Sequence, residues 1–487
     1  MNLVAFSVKS KGARNFARRL WTVFSRFGFG EERSRRCLDS IVSAVAAHGA
    51  APTFFIPAVV LDRHPTLLAE LTQHGCEVGI HGYVHNDYRG LDADTQCAQV
   101  RRAMTLFQRA GVPFSGFRNP YLGWTPESPA VFAALGLTYD SNEAVIHEVL
   151  DMAALSEQQR DGLARSLVLF QAIPYGAYTL RPHLEQGIVR IPTSIPDDEM
   201  LFDRLRLDAA TIGGLWSEVM RRVYSAGGIY VLNLHPERGI LCRPALDALL
   251  ATAAQQERPV WITRLDEVAA WWRERRGFHL VVTPDTAATN DHPGRWRVQA
   301  QCAQRATLLA RHVRVVEGAK AEPWYGPDTR LTGHQCIVES ERCPIVALSV
   351  RTADDVAAFL EEHGFPYTRT DPGQAERFAL FLDLPDGLGS TREEQIAARS
   401  ALLRQLLELD APLVYFGCWP DGARSALSIT GDIDSLTIQD FFLRIREVAQ
   451  QRGYSPAREA QAEETLDTPL PDREPMPLAS HNGGSTR

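Results

Sequence analysis

Cysteine is scarce in this sequence, and none of its eight cysteines forms a CxxC pair. Pairs with that spacing hold structural zinc or perform thiol redox chemistry, so the sequence offers neither kind of site. We expect the cysteines to be small core residues that stay reduced. A disulfide between Cys336 and Cys343 is the alternative.

An excess of positive charge is also missing. The 51 Lys and Arg residues stand against 59 Asp and Glu residues, which gives a formal net charge of −8. Proteins that bind nucleic acids usually present a broad basic face. The composition therefore predicts no nucleic-acid partner.

Long uninterrupted hydrophobic runs are absent as well. The most apolar stretch, residues 41–61, is close to membrane length, but it contains His48, Gly49, Pro52 and Pro57. These residues divide it into a helix, a turn and a strand, so we predict no transmembrane helix. The N-terminal region has no continuous apolar segment followed by a small-residue cleavage site, which argues against a secretory signal. We therefore expect a cytoplasmic protein.

The apolar content is sufficient for two or three domains, since 45% of the 487 residues are hydrophobic. Residues 1–276 alternate short apolar runs with amphipathic stretches, which is typical of βα units in a barrel or a doubly wound sheet. The strands predicted in this region are Leu3–Val8, Thr53–Ile56, Glu77–Ile80, Ile188–Ile191, Ile229–Leu234 and Val260–Ile262. The predicted helices are Ala13–Ser25, Ser34–Ala47, Pro65–His74, Ala93–Ala110, Glu127–Leu135, Ala209–Ser225, Ala245–Gln256 and Leu265–Arg276.

The rest of the chain divides into three further regions. Residues 277–343 show strand-like alternation, including the runs Ala306–Val316 and Thr329–Glu339, and predict a small β-rich domain. Residues 344–450 return to an α/β pattern and predict a second α/β unit. Residues 451–487 combine prolines, many charges and a Gly-Gly-Ser ending, which predicts a disordered tail.

Two histidines, His81 and His85, directly follow the predicted strand Glu77–Ile80. Residues at i and i+4 of a helical turn lie on one face, so both imidazoles could reach one divalent ion with bonds near 2.0–2.1 Å. The alternative is that these histidines are ordinary polar loop residues, because short motifs often match by chance.

Two further strand ends carry polar residues suited to catalysis. Arg118 and Tyr121, in Arg-Asn-Pro-Tyr, follow the apolar segment Phe114–Phe117, and His235 follows Ile229–Leu234. In α/β barrels, functional groups gather at the C-terminal ends of strands. The alternatives are structural: Arg118 could form a salt bridge with acids such as those at positions 197 and 198, and His235 could be a core histidine.

In their order and spacing these residues resemble the polysaccharide deacetylases of carbohydrate esterase family four, the NodB-homology domain. His81 and His85 match the family's H[ST]xxH metal motif, Arg118 and Tyr121 match its RxPY motif, and His235 matches its Leu-x-His motif. The resemblance covers roughly residues 3–276. It implies an α/β fold, a distorted (β/α) barrel of the polysaccharide deacetylase type, followed by the two smaller units.

The sequence departs from the family pattern at two places. Gly82 stands where the family usually has Ser or Thr, so one hydroxyl is missing. More seriously, the N-terminal strand lacks the family's early acids. It has Ser7 and Lys9, whereas an Asp-x-Asp, formed by Asp432 and Asp434, occurs near the C-terminus.

The segments around Ser7 and Asp432 align without a gap, and the alignment places Lys9 on Asp434. We therefore hypothesise that the N-terminal copy has lost its acids. The segment Thr430–Ser435 would then supply them, either within one chain or from a second chain of a homo-oligomer. Chance similarity is the alternative, and the two aspartates would then be turn residues.

The resemblance implies a role for each matching residue. His81, His85 and Asp434 would hold a divalent metal, with zinc expected and cobalt or nickel as alternatives. Asp432 would be the general base, and Arg118 would orient it and keep it ionised. His235 would protonate the leaving amine, and the backbone N–H of Tyr121 would stabilise the oxyanion.

The implied activity is hydrolysis of a carbon–nitrogen bond that is not a peptide bond. The metal-dependent enzyme would remove an acyl group, expected to be acetyl, from an N-acylated amino sugar of a glycan or glycan precursor, so the implied partner is a carbohydrate substrate. One alternative is a catalytically inactive relative that binds carbohydrate or acts as a scaffold, with Lys9 where the metal should be. Another is a hydrolase of a different C–N bond, such as that of a cyclic amide.

Overall fold

The structure is a computed structural model that describes residues 26–286 and 293–451. The predicted strand Leu3–Val8 and the predicted helix Ala13–Ser25 lie outside the described residues. The predicted tail also lies outside them from residue 452 onward, whereas residue 451 is the last residue of a helix.

The described strands are numbered in chain order. They are β1 (Thr53–Ile56), β2 (Glu77–Ile80), β3 (Gly116–Phe117), β4 (Tyr139–Asp140), β5 (Ala144–Ile146), β6 (Ile173–Pro174), β7 (His183–Glu185), β8 (Ile188–Arg190), β9 (Thr193–Ile195), β10 (Ile229–Leu234), β11 (Val260–Ile262), β12 (His279–Thr286), β13 (Gly294–Gln301), β14 (Leu308–Arg311), β15 (Arg314–Glu317), β16 (Ala321–Tyr325), β17 (Asp328–Leu331), β18 (Gln335–Ser340), β19 (Cys343–Ser349), β20 (Tyr367–Thr370), β21 (Phe378–Leu382), β22 (Leu413–Phe416) and β23 (Ser425–Asp432).

The described α-helices are numbered in the same way. They are α1 (Glu32–Ala46), α2 (Ala58–Arg63), α3 (Pro65–Gln73), α4 (Ala93–Arg109), α5 (Ser128–Ala134), α6 (Glu157–Leu169), α7 (Ala209–Ala226), α8 (Gly239–Ala254), α9 (Leu265–Glu274), α10 (Asp354–His363), α11 (Arg392–Leu407) and α12 (Ile438–Gln451).

The longest helices begin at residues that cap them. The Asp92 carboxylate accepts a hydrogen bond from the Thr95 N–H at 2.8 Å before α4, and Asp208 accepts one from the Thr211 N–H at 2.9 Å before α7. Each such cap contributes about 1 kcal/mol to helix stability. Helix α7 ends at Gly227, whose left-handed φ of 66° is easily adopted by glycine.

Strands β1–β11 and β23 form one large sheet in the order β6-β5-β9-β10-β23-β1-β2-β3-β4-β8-β7, with β11 also paired to β23. Among the described strands of this sheet, β7 and β8 form the antiparallel pair and the other neighbours are parallel. The sheet curls without closing, as a half barrel. This confirms the predicted α/β class and the distorted barrel of the polysaccharide deacetylase type.

Strand β23, the last strand in the chain, lies in the interior of this sheet. It pairs along residues 426–431 with β10, and at residues 430–432 with β1. All eight of its residues are buried. Its neighbours β1 and β10 are also buried throughout, as expected for central parallel strands that are covered on both faces.

The remaining strands form three smaller sheets, in the orders β12-β13-β18-β15, β16-β17-β14-β22 and β20-β19-β21. Strand β22 belongs by sequence to the predicted second α/β unit, yet it pairs with β14 of the predicted β-rich region. The division into domains at residues 276, 343 and 450 stays a prediction.

Two kinds of predicted boundary were wrong. Helix α8 begins at Gly239, six residues before the predicted start, and contains Pro244. A Cβ at Gly239 would lie 2.1 Å from the carbonyl oxygen of Cys37, so tight packing against α1 fixes the start of the helix despite the proline.

The run Ala306–Val316 is two strands, because His312 has a left-handed φ of 48° and turns the chain. The run Thr329–Glu339 is likewise two strands, β17 and β18.

The cysteines are all unpaired, and six of the eight are buried. The alternative disulfide between Cys336 and Cys343 is therefore not formed. No helix among residues 26–286 and 293–451 has both the length and the hydropathy needed to cross a membrane. The cytoplasmic location stays a prediction.

The position of β23 leads to a prediction about truncated chains. Ending the chain after residue 420 removes β23 and leaves the facing edges of β1 and β10 without a partner. We expect this chain to be insoluble or to lack the cooperative thermal unfolding of the full chain, as measured by circular dichroism.

A control chain that ends at residue 451 keeps every described element, and we expect it to unfold cooperatively. If the shorter chain were as stable as this control, another segment of the chain would have to occupy the position of β23, and the prediction would be wrong.

Candidate active site

The sequence-predicted metal ligands meet at the C-terminal ends of two strands. Strands β2 and β23 both pair with β1, so the residues after them emerge at the same edge of the sheet. Oδ1 of Asp434 lies 3.2 Å from Nε2 of His85 and 3.5 Å from Nε2 of His81. The structure therefore brings the early histidine pair and the late aspartate together within one chain.

The orientation of His81 is set by the neighbouring strand. Its Nδ1 lies 2.7 Å from the backbone carbonyl oxygen of Arg118, and since a carbonyl only accepts, Nδ1 carries the proton. Nε2 is then the unprotonated atom that faces Asp434. In histidines that bind a metal, a hydrogen bond from the other ring nitrogen fixes the orientation and the tautomer of the ring. The ring of His85 contacts the ring of Tyr121 edge-on, with 4.7 Å between centroids.

The protonation states also suit a cation. Burial lowers the pKa of His85 and favours its neutral form. Burial would raise the pKa of Asp434, but its interactions with His85, His81 and Arg444 hold it well below its usual range. Neutral imidazoles and an ionised carboxylate are the forms that bind metal.

The ligand atoms of His81, His85 and Asp434 are arranged as a divalent ion requires. Oδ1 of Asp434 is buried and accepts no hydrogen bond from the described residues. The three ligand atoms lie within 4.8 Å of one another, and the ligands of a tetrahedral ion with 2.0–2.1 Å bonds lie about 3.3 Å apart. Two nitrogens and one carboxylate oxygen are typical zinc ligands. These residues therefore fit a divalent metal.

Arg444 is a neighbour of this cluster that the sequence prediction did not include in the site. Its Nη1 lies 2.7 Å from Oδ2 of Asp434, the oxygen that does not face the histidines. Helix α12 carries it, and α12 begins four residues after Asp434. The guanidinium keeps Asp434 ionised, but it also adds positive charge beside the cluster.

The second aspartate, Asp432, lies in a buried network of hydrogen bonds. Nη1 of Arg118 is 3.2 Å from Oδ1 of Asp432, and Nδ2 of Asn233 donates to Oδ2 at 2.8 Å. Arg118 is fully buried and also donates to Oδ1 of Asn233 at 2.7 Å and to the Thr430 hydroxyl at 2.8 Å. The carboxylate is thus held in one orientation by two neighbours.

The acids at positions 197 and 198, considered above as partners of Arg118, lie beside His235 instead. Oδ1 of Asp198 is 2.7 Å from Nδ1 of His235, and Oδ2 accepts the backbone N–H of His235 at 2.8 Å. Burial would lower the pKa of His235, but the charge of Asp198 raises it well above its usual value. The charge of Asp198 therefore favours the protonated form of His235, which could donate a proton from Nε2.

Sequence reasoning missed the role of Asp198 because β9, which precedes it, is only three residues long and reads Thr-Ser-Ile. Polar residues at a strand end identified the other site residues, and the same pattern occurs here, since Asp198 follows β9.

The neighbouring acid, Asp197, has a raised pKa. Burial raises this pKa to about 7, the charges of Asp198 and Glu199 add to the rise, and the charge of His235 opposes it.

An open cleft with a volume of about 90 Å³ connects these groups. Tyr121 stands at its rim with 43% of its surface exposed, and its backbone has a left-handed φ of 60°. Such a conformation costs a residue other than glycine about 1–2 kcal/mol, so the surrounding structure must hold it. The sequence-predicted residues that line the cleft are His81, His85, Tyr121, His235, Asp432 and Asp434, and Arg118 lies behind Asp432.

Gly82 has a structural reason to differ from Ser or Thr. Its φ is +84°, and a Cβ at this position would lie 2.9 Å from the carbonyl oxygen of Val84. A side chain here would meet both backbone strain and a steric clash. The backbone at position 82, between the two histidines, therefore has a conformation that glycine adopts more easily than any other residue.

Comparisons with known proteins identify one family. Residues 27–139 match the family model described as polysaccharide deacetylase. A structure of a Mycobacterium smegmatis protein assigned to the polysaccharide deacetylases is 22% identical, with a TM-score of 0.40 over 55% of this chain and 86% of that chain. A family 4 carbohydrate esterase from Streptomyces lividans, solved with acetate, is 16% identical, with a TM-score of 0.27 over 44% and 81% of the two chains.

A structure of a family 4 pseudoenzyme from Bacillus anthracis is also similar to this chain. It is 16% identical, with a TM-score of 0.31 over 48% of this chain and 61% of that chain. At these identities and TM-scores the likenesses do not bear on the activity of this chain.

The conformation of Gly82 leads to a prediction about stability. We expect Gly82→Ser to lower the free energy of unfolding by at least about 1–2 kcal/mol, the cost of a left-handed residue other than glycine. Urea denaturation followed by fluorescence measures this change. Gly90→Ser is the control, because a Cβ at Gly90 would meet no atom within 4 Å. Equal stability of the two variants would contradict the prediction.

The Asp198–His235 pair leads to a prediction about proton affinity. Asp198→Asn removes the charge that raises the pKa of His235, while the amide oxygen can still accept from Nδ1. We expect the pKa of His235 to fall to or below its usual 6.5, because burial then dominates. An NMR titration of the histidine ring protons measures it.

Asp247→Asn, on the exposed face of α8, is the control for the loss of one negative charge. An unchanged His235 pKa in Asp198→Asn, or an equal fall in both variants, would show that Asp198 does not control the proton.

Proposed function

Because the chain carries a polysaccharide deacetylase domain, we propose that it is a metal-dependent hydrolase acting on an N-acylated amino sugar. It removes the acyl group, expected to be acetyl, from a glycan or glycan precursor. The observation that supports this proposal most directly is the convergence of Asp434 and Asp432 with His81 and His85 in one cleft.

His81, His85 and Asp434 would hold the metal, with zinc expected and cobalt or nickel as alternatives. When bound, such an ion acts as a Lewis acid and lowers the pKa of water towards about 7. The clustered ligand atoms and the unbonded oxygen of Asp434 support this assignment.

Asp432 is the proposed general base. As water attacks the acyl carbonyl carbon, the Asp432 carboxylate takes its proton. Arg118 and Asn233 each hold one of the carboxylate oxygens, so the base is oriented before the substrate arrives. The positive charge of Arg118 favours the ionised form of Asp432 that this step needs.

His235 is the proposed general acid. The charge of Asp198 favours its protonated form, and His235 gives this proton to the amine nitrogen as the carbon–nitrogen bond breaks. The backbone N–H of Tyr121, at the rim of the cleft, is the proposed donor to the oxyanion that forms on the carbonyl oxygen. A donor of this kind contributes about 3 kcal/mol.

One observation favours a second candidate function. Arg444 places a positive charge 2.7 Å from Asp434, where it competes with a cation for the carboxylate. Lys9, which the alignment of the two segments places on Asp434, lies outside the described residues. The second candidate is a catalytically inactive protein that binds carbohydrate or acts as a scaffold.

Metal analysis combined with an activity assay tests the proposal. We expect the reconstituted full chain to hold about one equivalent of zinc, cobalt or nickel, and to release acetate from oligomers of N-acetylglucosamine. Asp434→Ala should lose the metal. Asp432→Asn should keep the metal and lose about 10²–10⁴-fold in kcat, because it removes the base but no ligand.

Asp410→Asn, at an exposed position, is the control and should change neither property. Less than about a tenth of an equivalent of metal, unaffected by Asp434→Ala, would favour the inactive candidate. Full metal content with hydrolysis of a cyclic amide, but no acetate release, would indicate a different C–N substrate.

A further inference from the structure

A second cavity, separate from the catalytic cleft, lies where β7 faces α10 and α11. It encloses about 80 Å³, and its polar lining includes His183, Glu185, His363, Arg392 and Arg399. None of these residues lines the catalytic cleft. The proposed hydrolase function does not use them.

His363, at the end of α10, is a buried polar group of this cavity without a partner. It is 2% exposed, and its Nδ1 is buried with no hydrogen bond to any described residue. Its ring is fixed by Phe359, at 4.3 Å between centroids, and by Trp272, at 5.8 Å. Buried polar atoms are nearly always hydrogen-bonded, so this one indicates a ligand.

Arg399, on α11, adds a cation without a counter-ion. Its Nε is buried and unbonded, and its guanidinium forms no ion pair with residues 26–286 or 293–451. Arg181, only 3% exposed, also lacks an ion pair within those residues. Besides burial, the charges of Arg181, Arg275 and Arg399 lower the pKa of His363, so these cations surround it. Buried cations without a counter-ion are costly.

The acids near the cavity are already neutralised by other arginines. Glu185 lies 2.9 Å from Arg190 and 3.1 Å from Arg392. Glu143 forms ion pairs with the same two arginines. The ligand atoms of Glu143, His183 and Glu185 are close enough to hold a metal, but the two guanidinium groups already supply the positive charge there. The charge left without a partner is positive.

Arg392 is also fixed on its other side. Its guanidinium lies 4.5 Å from the ring of Trp124, and that of Arg190 lies 4.1 Å from the same ring. Trp124 therefore stacks against these two arginines. Arg392 is therefore held in place, and Arg399 is the arginine of the cavity lining that forms no ion pair with residues 26–286 or 293–451.

We infer that this cavity binds the oxyanion of a small organic molecule, either a phosphate ester or a carboxylate. Arg399 anchors the oxyanion with its planar fork of donors, and His363 donates a ring N–H. The cavity volume of about 80 Å³ is enough for an oxyanion group, since a single water needs about 10–15 Å³ by the same measure, and the rest of the ligand extends through the opening of the cavity. Tyr178 and Ile396 provide less polar surface for the rest of the ligand.

Isothermal titration calorimetry of the full chain, in a buffer without phosphate or carboxylate, tests this inference. The probes are inorganic phosphate, glucose 6-phosphate and glucuronate, with glucose as the neutral control. We expect saturable binding of at least one anion and none of glucose. Comparing glucose 6-phosphate with glucuronate tells which oxyanion the site takes.

Arg399→Gln should weaken anion binding at least about tenfold. Arg404→Gln, on an exposed position of the same helix and outside the cavity lining, should leave it unchanged. Should Arg399→Gln fail to fold, Gln395→Glu provides the same test, because it puts a negative charge into the cavity.

Three results would overturn the inference: no saturable binding of any anion below about 10 mM, equal binding of glucose, or anion binding that Arg399→Gln and Gln395→Glu leave intact. Zinc binding that Glu185→Gln abolishes and Asp434→Ala does not would assign the cavity to a metal instead.

Discussion

The pairing of β23 with both β1 and β10 is the constraint on which the rest of the site depends. This strand places Asp432 opposite Phe55 of β1 and brings Asp434 just beyond the sheet edge where His81 emerges from β2. Because parallel strands of one sheet end at the same edge, their following residues meet without any long connecting loop. On the other side, β10 leads to Asn233 and His235, which complete the cleft.

The site depends equally on buried charges that are matched to one another. Arg118 is fully buried and would be costly alone, but Asp432, Asn233 and Thr430 accept its hydrogen bonds. Asp198 plays the same part for His235. Each charged group has a partner that sets both its orientation and its ionisation. The second cavity differs, since Arg399 and Arg181 have no such partner among residues 26–286 and 293–451.

Much of the fold near the site could be predicted from sequence, because β1, β2 and β10 are mainly apolar segments with clear ends. Their bounds were predicted to the residue. Strands of two or three residues, such as β9, are too short to show a detectable hydrophobic pattern. Asp198 was therefore considered as a partner of Arg118, whereas it contacts His235. The partners of β23 were also beyond local patterns, since strand pairing over such a separation depends on tertiary packing. The sequence left open whether that strand would act within one chain, and the structure has it there.

The interior position of β23 also affects the order of events as the protein is made. During synthesis, β1, β2 and β10 leave the ribosome long before the strand that joins β1 to β10. Until then two strand edges and their apolar faces are open to other chains. Contacts between residues so far apart in sequence also slow folding. The nascent chain therefore spends a long interval in an aggregation-prone state, in which chaperones that shield strand edges would increase its yield.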